Sequence, residues 1–119
     1  MHSSNNLSGL RRALDNALAQ ASQLIVRGDY AGAEQVCASA LKQWRGASGP
    51  KTEESKIVGA LGKCYEAQRK YELAYDLYME VLPNLKGQAY DDVYTSLLYL
   101  NERMGTFTKK QNDGLSFLE

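Results

Sequence analysis

The residues that could carry chemistry are few. His2 is the only imidazole, and Cys37 and Cys64 are the only thiols. Acyl transfer by a serine or cysteine needs an imidazole or equivalent base within hydrogen-bond reach. His2 lies in the polar opening stretch Met1 to Ser8, so no such pair can be assembled. Two cysteines and one distant histidine give no metal-ligand spacing. A phosphate cradle needs a glycine-rich loop followed by Lys-Ser or Lys-Thr. Neither Gly46-Ala47-Ser48-Gly49 nor Gly59-Ala60-Leu61-Gly62 is followed by that pair. The carboxylate pairs Glu53-Glu54 and Asp91-Asp92 are adjacent, so they point to different faces of a helix. They suit the first turn, where the helix dipole favours acids. No enzymatic activity and no cofactor is expected.

Composition points the same way. The chain has 119 residues, 14 of them basic and 14 acidic, for a formal charge of zero. One domain of this length can bury a core without disulfides. A neutral chain lacks the basic surface that nucleic acid or an anionic membrane would attract. No apolar run approaches the ~18 residues of a membrane span, and the start MHSSNNLSGLRR has no apolar segment of the signal-peptide kind. Both cysteines fall on apolar helical faces. Two buried thiols without a metal spacing suit a reducing, cytoplasmic compartment.

These residues must be held by helices. The stretch Leu61 to Leu82 reads as two amphipathic helices meeting at a tight turn near Gln68 to Lys70. Val58, Leu61 and Tyr65 share one face, and Tyr71, Ala74, Tyr75, Tyr78, Val81, Leu82 and Leu85 share another. Gly62 and Ala74 are the small residues that would let these helices approach closely. Upstream, residues 1–8 read as a disordered tail. A helix follows from about Leu10 to Gly28, and Asp29 can cap a second from about Tyr30 to Arg45. Gly46 to Pro50 is a loop. Thr52 reads as the next cap, with Glu53 and Glu54 in its first turn. Pro83 falls late in the fourth helix, with Gly87 as its stop, and a fifth spans roughly Ala89 to Met104, closed by Gly105. The fold class is therefore all-α, a solenoid of antiparallel helix hairpins with about five to six helices.

The turns repeat. Arg27 to Leu41 aligns with Gln68 to Leu82, and less well with Met104 to Leu118. The aromatics Tyr30, Tyr71 and Phe107 are then 41 and 36 residues apart, periods that signal stacked helical repeats.

On these residues the chain resembles the tetratricopeptide repeats, in their longer-period variety as in kinesin light chains and bacterial signalling proteins. The central unit, about 52–86, carries the pattern through Val58, Leu61, Gly62, Tyr65, Tyr71, Ala74, Tyr78 and Val81. The first, about 10–45, carries it through Ala17, Ala21, Leu24, Gly28, Asp29, Tyr30, Ala33, Cys37 and Ala40. A partial third, about 89–118, fits through Tyr94, Leu97, Gly105 and Phe107, then departs at Lys110 and Asn112-Asp113-Gly114.

The resemblance implies a concave surface made by the first helix of each pair. It places Leu18, Ser22 and Ile25 there, then Lys56, Lys63 and Glu66, then Asp92, Tyr99, Glu102 and Arg103. The tyrosines Tyr30, Tyr65, Tyr71 and Tyr78 are read as packing. Relatives that clamp chaperone C-terminal carboxylates use Lys and Asn, then Asn, then Lys and Arg. The matching places here hold Leu18 and Ser22, Ala60, then Asp92 and Ser96. No clamp cation is present, and Asp92 would repel a carboxylate.

The expected function is a protein-interaction module that binds a protein or peptide, as an extended segment or a helix, in a shallow groove. One alternative is a self-associating piece of a longer solenoid, pairing as a homo-oligomer through the C-terminal third, with Leu98 and Phe117 in the contact. Another is a secretion chaperone or the regulatory arm of a bacterial signalling protein.

Overall fold

The computed structural model describes residues 2–105, with side chains from Leu7 onward. It contains α1 (His2–Val26), α2 (Tyr30–Gly46), α3 (Lys51–Ala67), α4 (Tyr71–Val81) and α5 (Gly87–Met104), and no strand occurs among the described residues. Each helix packs on the next, and α1 also reaches α3. Short connections of this kind make neighbours antiparallel. The chain is therefore all-α, with its helical hairpins stacked in sequence order. The part of the third unit beyond Gly105, including Phe107 and Phe117, lies outside the described residues.

Three helix ends use one device. After α1, the Asp29 N–H bonds to the Leu24 carbonyl at 2.8 Å and the Gly28 N–H to that of Ile25 at 2.9 Å. After α2, Gly49 bonds back to Trp44 at 2.8 Å and Ser48 to Arg45 at 3.0 Å. After α3, Lys70 bonds to Tyr65 at 2.8 Å and Arg69 to Glu66 at 3.0 Å. Each is the paired-bond closure in which one residue turns left-handed. That residue is Gly28 at φ +82°, Ser48 at φ +56° and Arg69 at φ +62°. Asp29 then caps α2, its Oδ1 accepting the Gly32 N–H at 2.9 Å.

Left-handed backbone strains a residue with a side chain by about 1 kcal/mol. Arg69→Gly should therefore be neutral or mildly stabilising, despite glycine's greater freedom in the unfolded chain. A urea titration checks this; a clear loss of stability would assign Arg69 an essential contact instead.

Four boundaries differ from the sequence reading. Helix α1 starts at His2, ahead of the Leu10 expected, and takes in the stretch read as a tail. Leu7 is half-buried and shares a hollow with Ala47, Ser48 and Pro50, so this turn covers the α2–α3 connection. Thr52 does not cap α3. The helix begins after Pro50, whose φ of −55° already suits a helical start, and whose carbonyl accepts the Trp44 indole N–H at 2.9 Å. Helix α4 stops at Val81, and Leu82–Asn84 form a 3-10 turn around Pro83, which cannot donate an N–H to a helix. Gly87 opens α5 at φ +60° and does not close α4.

The core runs along the stack through Ala33, Cys37 and Trp44 of α2, Ile57, Val58 and Cys64 of α3, and Leu97 and Leu100 of α5, all at most 1% exposed. Cys37 and Cys64 are free thiols, and burial pushes Cys37 up to about 11. A thiol held so far from ionisation is inert packing. The adjacent carboxylates do point apart. Glu53 accepts two bonds of 2.8 Å from Arg11 of α1. Glu54, only 3% exposed, meets Arg45 of α2 at 2.9 Å, and that guanidinium reaches on to Glu80 of α4 at 3.3 Å. Arg45 thereby ties three helices at one level.

Candidate functional site

Tyr78 is where the site begins. It points inward from α4, is 3% exposed, and lies against Gly62 of α3. A Cβ on Gly62 would collide with the phenol ring, so only glycine admits the tyrosine at this level. The hydroxyl donates to Glu66 Oε2 at 2.9 Å. Ser96 of α5 interacts with the same hydroxyl. Burial first, and then the Glu66 carboxylate, push the phenol's pKa upward, so it remains a donor at neutral pH. One side chain from the second helix of the hairpin thus spans from α3 to α5.

Those two helices make little direct contact with each other. Between them, over the Tyr78 ring, lies an open groove of about 540 Å³. Its α3 wall is Ser55, Gly59 and Lys63, each four residues from the next and so on one helical face. Its α5 wall is Ala89, Asp92, Val93, Thr95 and Ser96, with Leu85 contributed by the connection between α4 and α5. A Cβ on Gly59 would meet nothing within 4 Å, so this wall is bare where it faces the groove.

Two charges line it, Lys63 and Asp92, and both are exposed. Neither is in an ion pair among the described residues. The Asp92 carboxylate accepts a bond from Gln88 at 2.8 Å, which orients it and leaves its charge uncompensated. Hydroxyls from Ser55, Thr95 and Ser96 add donors and acceptors, and Ala89 and Val93 add apolar surface. The groove can hold a polar chain of both charge signs.

The residues expected on the concave surface fall into separate places. Lys63 and Asp92 both line the groove, one on each wall. Glu66 is engaged by Tyr78, and Lys56 and Glu102 are exposed but do not line the groove. Arg103 sits over the rings of Tyr71, at 5.9 Å, and Tyr99, at 5.7 Å, at the far end of α5. On α1, Leu18 and Ile25 are half-buried against the core. Ser22 borders a separate hollow of about 290 Å³ with Gln23, Val26 and Arg27. Leu98 is 40% exposed on α5, as is Tyr90 at 36% two turns earlier.

Sequence reasoning missed Ser55, Gly59, Thr95 and the apolar lining. The signal available was the small-polar row at four-residue spacing on α3, which interrupts an otherwise charged outer face. A further hollow of about 380 Å³ lies between α1 and α2, lined by Leu10, Ala13, Ala17, Val36 and Ala40 with Gln20, Gln35 and Gln43. It carries no charged group.

Among the described residues, no group of three or more His, Cys, Asp or Glu could hold a metal ion, and no helix is long and apolar enough to cross a membrane. In comparisons with family models, curated proteins and solved structures, nothing matches the chain.

Proposed function

We propose that this chain is a non-catalytic protein-interaction module of the tetratricopeptide kind, which takes a peptide or helix from a partner protein in the groove between α3 and α5. The observation that carries the reading is the groove itself: open, floored by a fixed tyrosine, and lined by two charges without ionic partners among the described residues. Binding there would rest on a few contact residues along a shallow surface. The two buried, unreactive thiols suit work in the reducing cytoplasm.

Gly59→Trp tests it. A Cβ there meets nothing within 4 Å and the position faces the open groove, so the fold should persist while the indole fills the groove. Peptides selected on the wild-type chain from a random display library should lose at least about tenfold in affinity for the variant, the effect of ~1.4 kcal/mol. Equal binding by both proteins would remove the groove from the function.

The exposure of Leu98 and Tyr90 favours a second reading, self-association through α5. It predicts a mass that rises with concentration in the micromolar range and falls back in Leu98→Lys, measured by light scattering. A strictly monomeric mass across that range would contradict it.

A further inference from the structure

The groove's two charges are separated along its length, and their separation specifies a ligand. Helices α3 and α5 both pack against α4 and run parallel to each other. Their ends are marked by the positive-φ residues Arg69 and Gly105. Asp92 stands thirteen residues before its own end residue and Lys63 six before its own. With the two ends taken at one level, as for parallel helices packed on the same partner, the difference of seven residues is about 10 Å along the helix axis. The rest of the two walls is made of small side chains, Ser55 and Gly59 on α3 and Ala89, Val93, Thr95 and Ser96 on α5.

A bound helix satisfies its own backbone and asks for an apolar trough. This groove offers the exposed Thr95 hydroxyl together with the acceptor oxygens of Ser96 and of Ser55, whose own proton goes to the Thr52 carbonyl at 2.9 Å, as polar partners for the backbone of an extended chain. Extended chain advances about 3.3 Å per residue, so 10 Å corresponds to about three residues.

We infer that the groove selects an extended peptide bearing one basic and one acidic side chain three positions apart, with small residues between them. The basic group faces Asp92 and the acidic group faces Lys63. This rests on the reading of the groove as the binding surface. Because both charges are exposed, the attraction is screened by salt and is stronger at low ionic strength.

The test uses a displayed random decapeptide library panned on the intact chain at low salt, on Lys63→Glu, on Asp92→Lys and on Gly59→Trp. Lys63 and Asp92 are exposed, so unchanged melting temperatures should confirm that these variants fold. The expected result is enrichment of peptides with opposite charges three positions apart. Lys63→Glu should weaken them about threefold or more, and so should Asp92→Lys, while the double reversal should prefer peptides with the two charges exchanged. Peptides that need an open Gly59 but show no charge pattern, or that bind both single reversals undiminished, overturn the inference and leave the groove standing. Peptides indifferent to Gly59→Trp, or no enrichment on the wild-type chain, overturn both.

Discussion

Gly62→Leu is expected to destabilise the chain by roughly 1–3 kcal/mol or more, the range of overpacked cores. Gly62 is the point where α3 meets the Tyr78 ring, and even a methyl group there would collide with the phenol. The ring cannot swing aside freely, because its hydroxyl is held by Glu66 and its surroundings leave it 3% exposed. Either α3 and α4 separate or the tyrosine leaves its place, and both responses disturb the groove floor. Gly62→Ala should act in the same direction with a smaller effect. Thermal unfolding followed by circular dichroism checks this. A melting temperature within a degree of wild type would mean that Gly62 and Tyr78 do not face each other.

The second large effect is expected at the other end of the hairpin stack. Trp44→Ala should cost about 3–5 kcal/mol, as for large aromatics removed from a core. The indole is 1% exposed and lies against Gly49, while its N–H bonds to the Pro50 carbonyl at 2.9 Å. It therefore does two things: it fills the interface of α2 with α3, and it fixes the loop that starts α3. Its loss leaves a cavity and removes one of the two hydrogen bonds that the Pro50 carbonyl accepts, the other coming from the Glu54 N–H at 3.2 Å. Urea unfolding should show the reduced midpoint by circular dichroism, since Trp44 is the only tryptophan available for fluorescence. A change below about 1 kcal/mol would show that the loop holds itself.

Much of this arrangement was legible in the residues. Apolar positions at three- and four-residue steps define the helices and their buried sides, because burial imposes that period on any amphipathic helix. Aligning the turns marked Arg69 as the counterpart of Gly28, and its φ of +62° is the left-handed value that this position implies. Ser48 takes the same conformation without a comparable signal. There the tight closure comes from Trp44 folding over Gly49, a contact that local composition does not announce. Thr52 looked like a cap because threonine favours that place, yet Pro50 was already pre-set for it. Leu7 falls in the stretch read as a tail, and what covers it is the distant α2–α3 connection.

The groove was less legible than the core for a physical reason. A core residue is marked by its own apolarity, whereas a groove exists where two helices fail to touch. Which helices part depends on the spacer between them, here Tyr78 reaching from α4. The charged residues Lys63 and Asp92 could be placed on a shared surface from the repeat register. The same register reached Ser96, at a place matching a carboxylate-clamp position, whereas Gly59 shows only as part of a row at four-residue spacing, and what that row leaves open depends on the neighbouring helix.

The central claim is that a partner peptide lies between α3 and α5. The most direct measurement is a residue-resolved map of amide chemical-shift changes when a library-selected peptide is added to the isotope-labelled chain. The account predicts that the largest changes fall on Ser55, Gly59, Lys63, Asp92 and Ser96, and that they vanish in Gly59→Trp. Changes confined to the α1–α2 hollow around Ala13, Val36 and Ala40, with the α3–α5 walls silent, would contradict it.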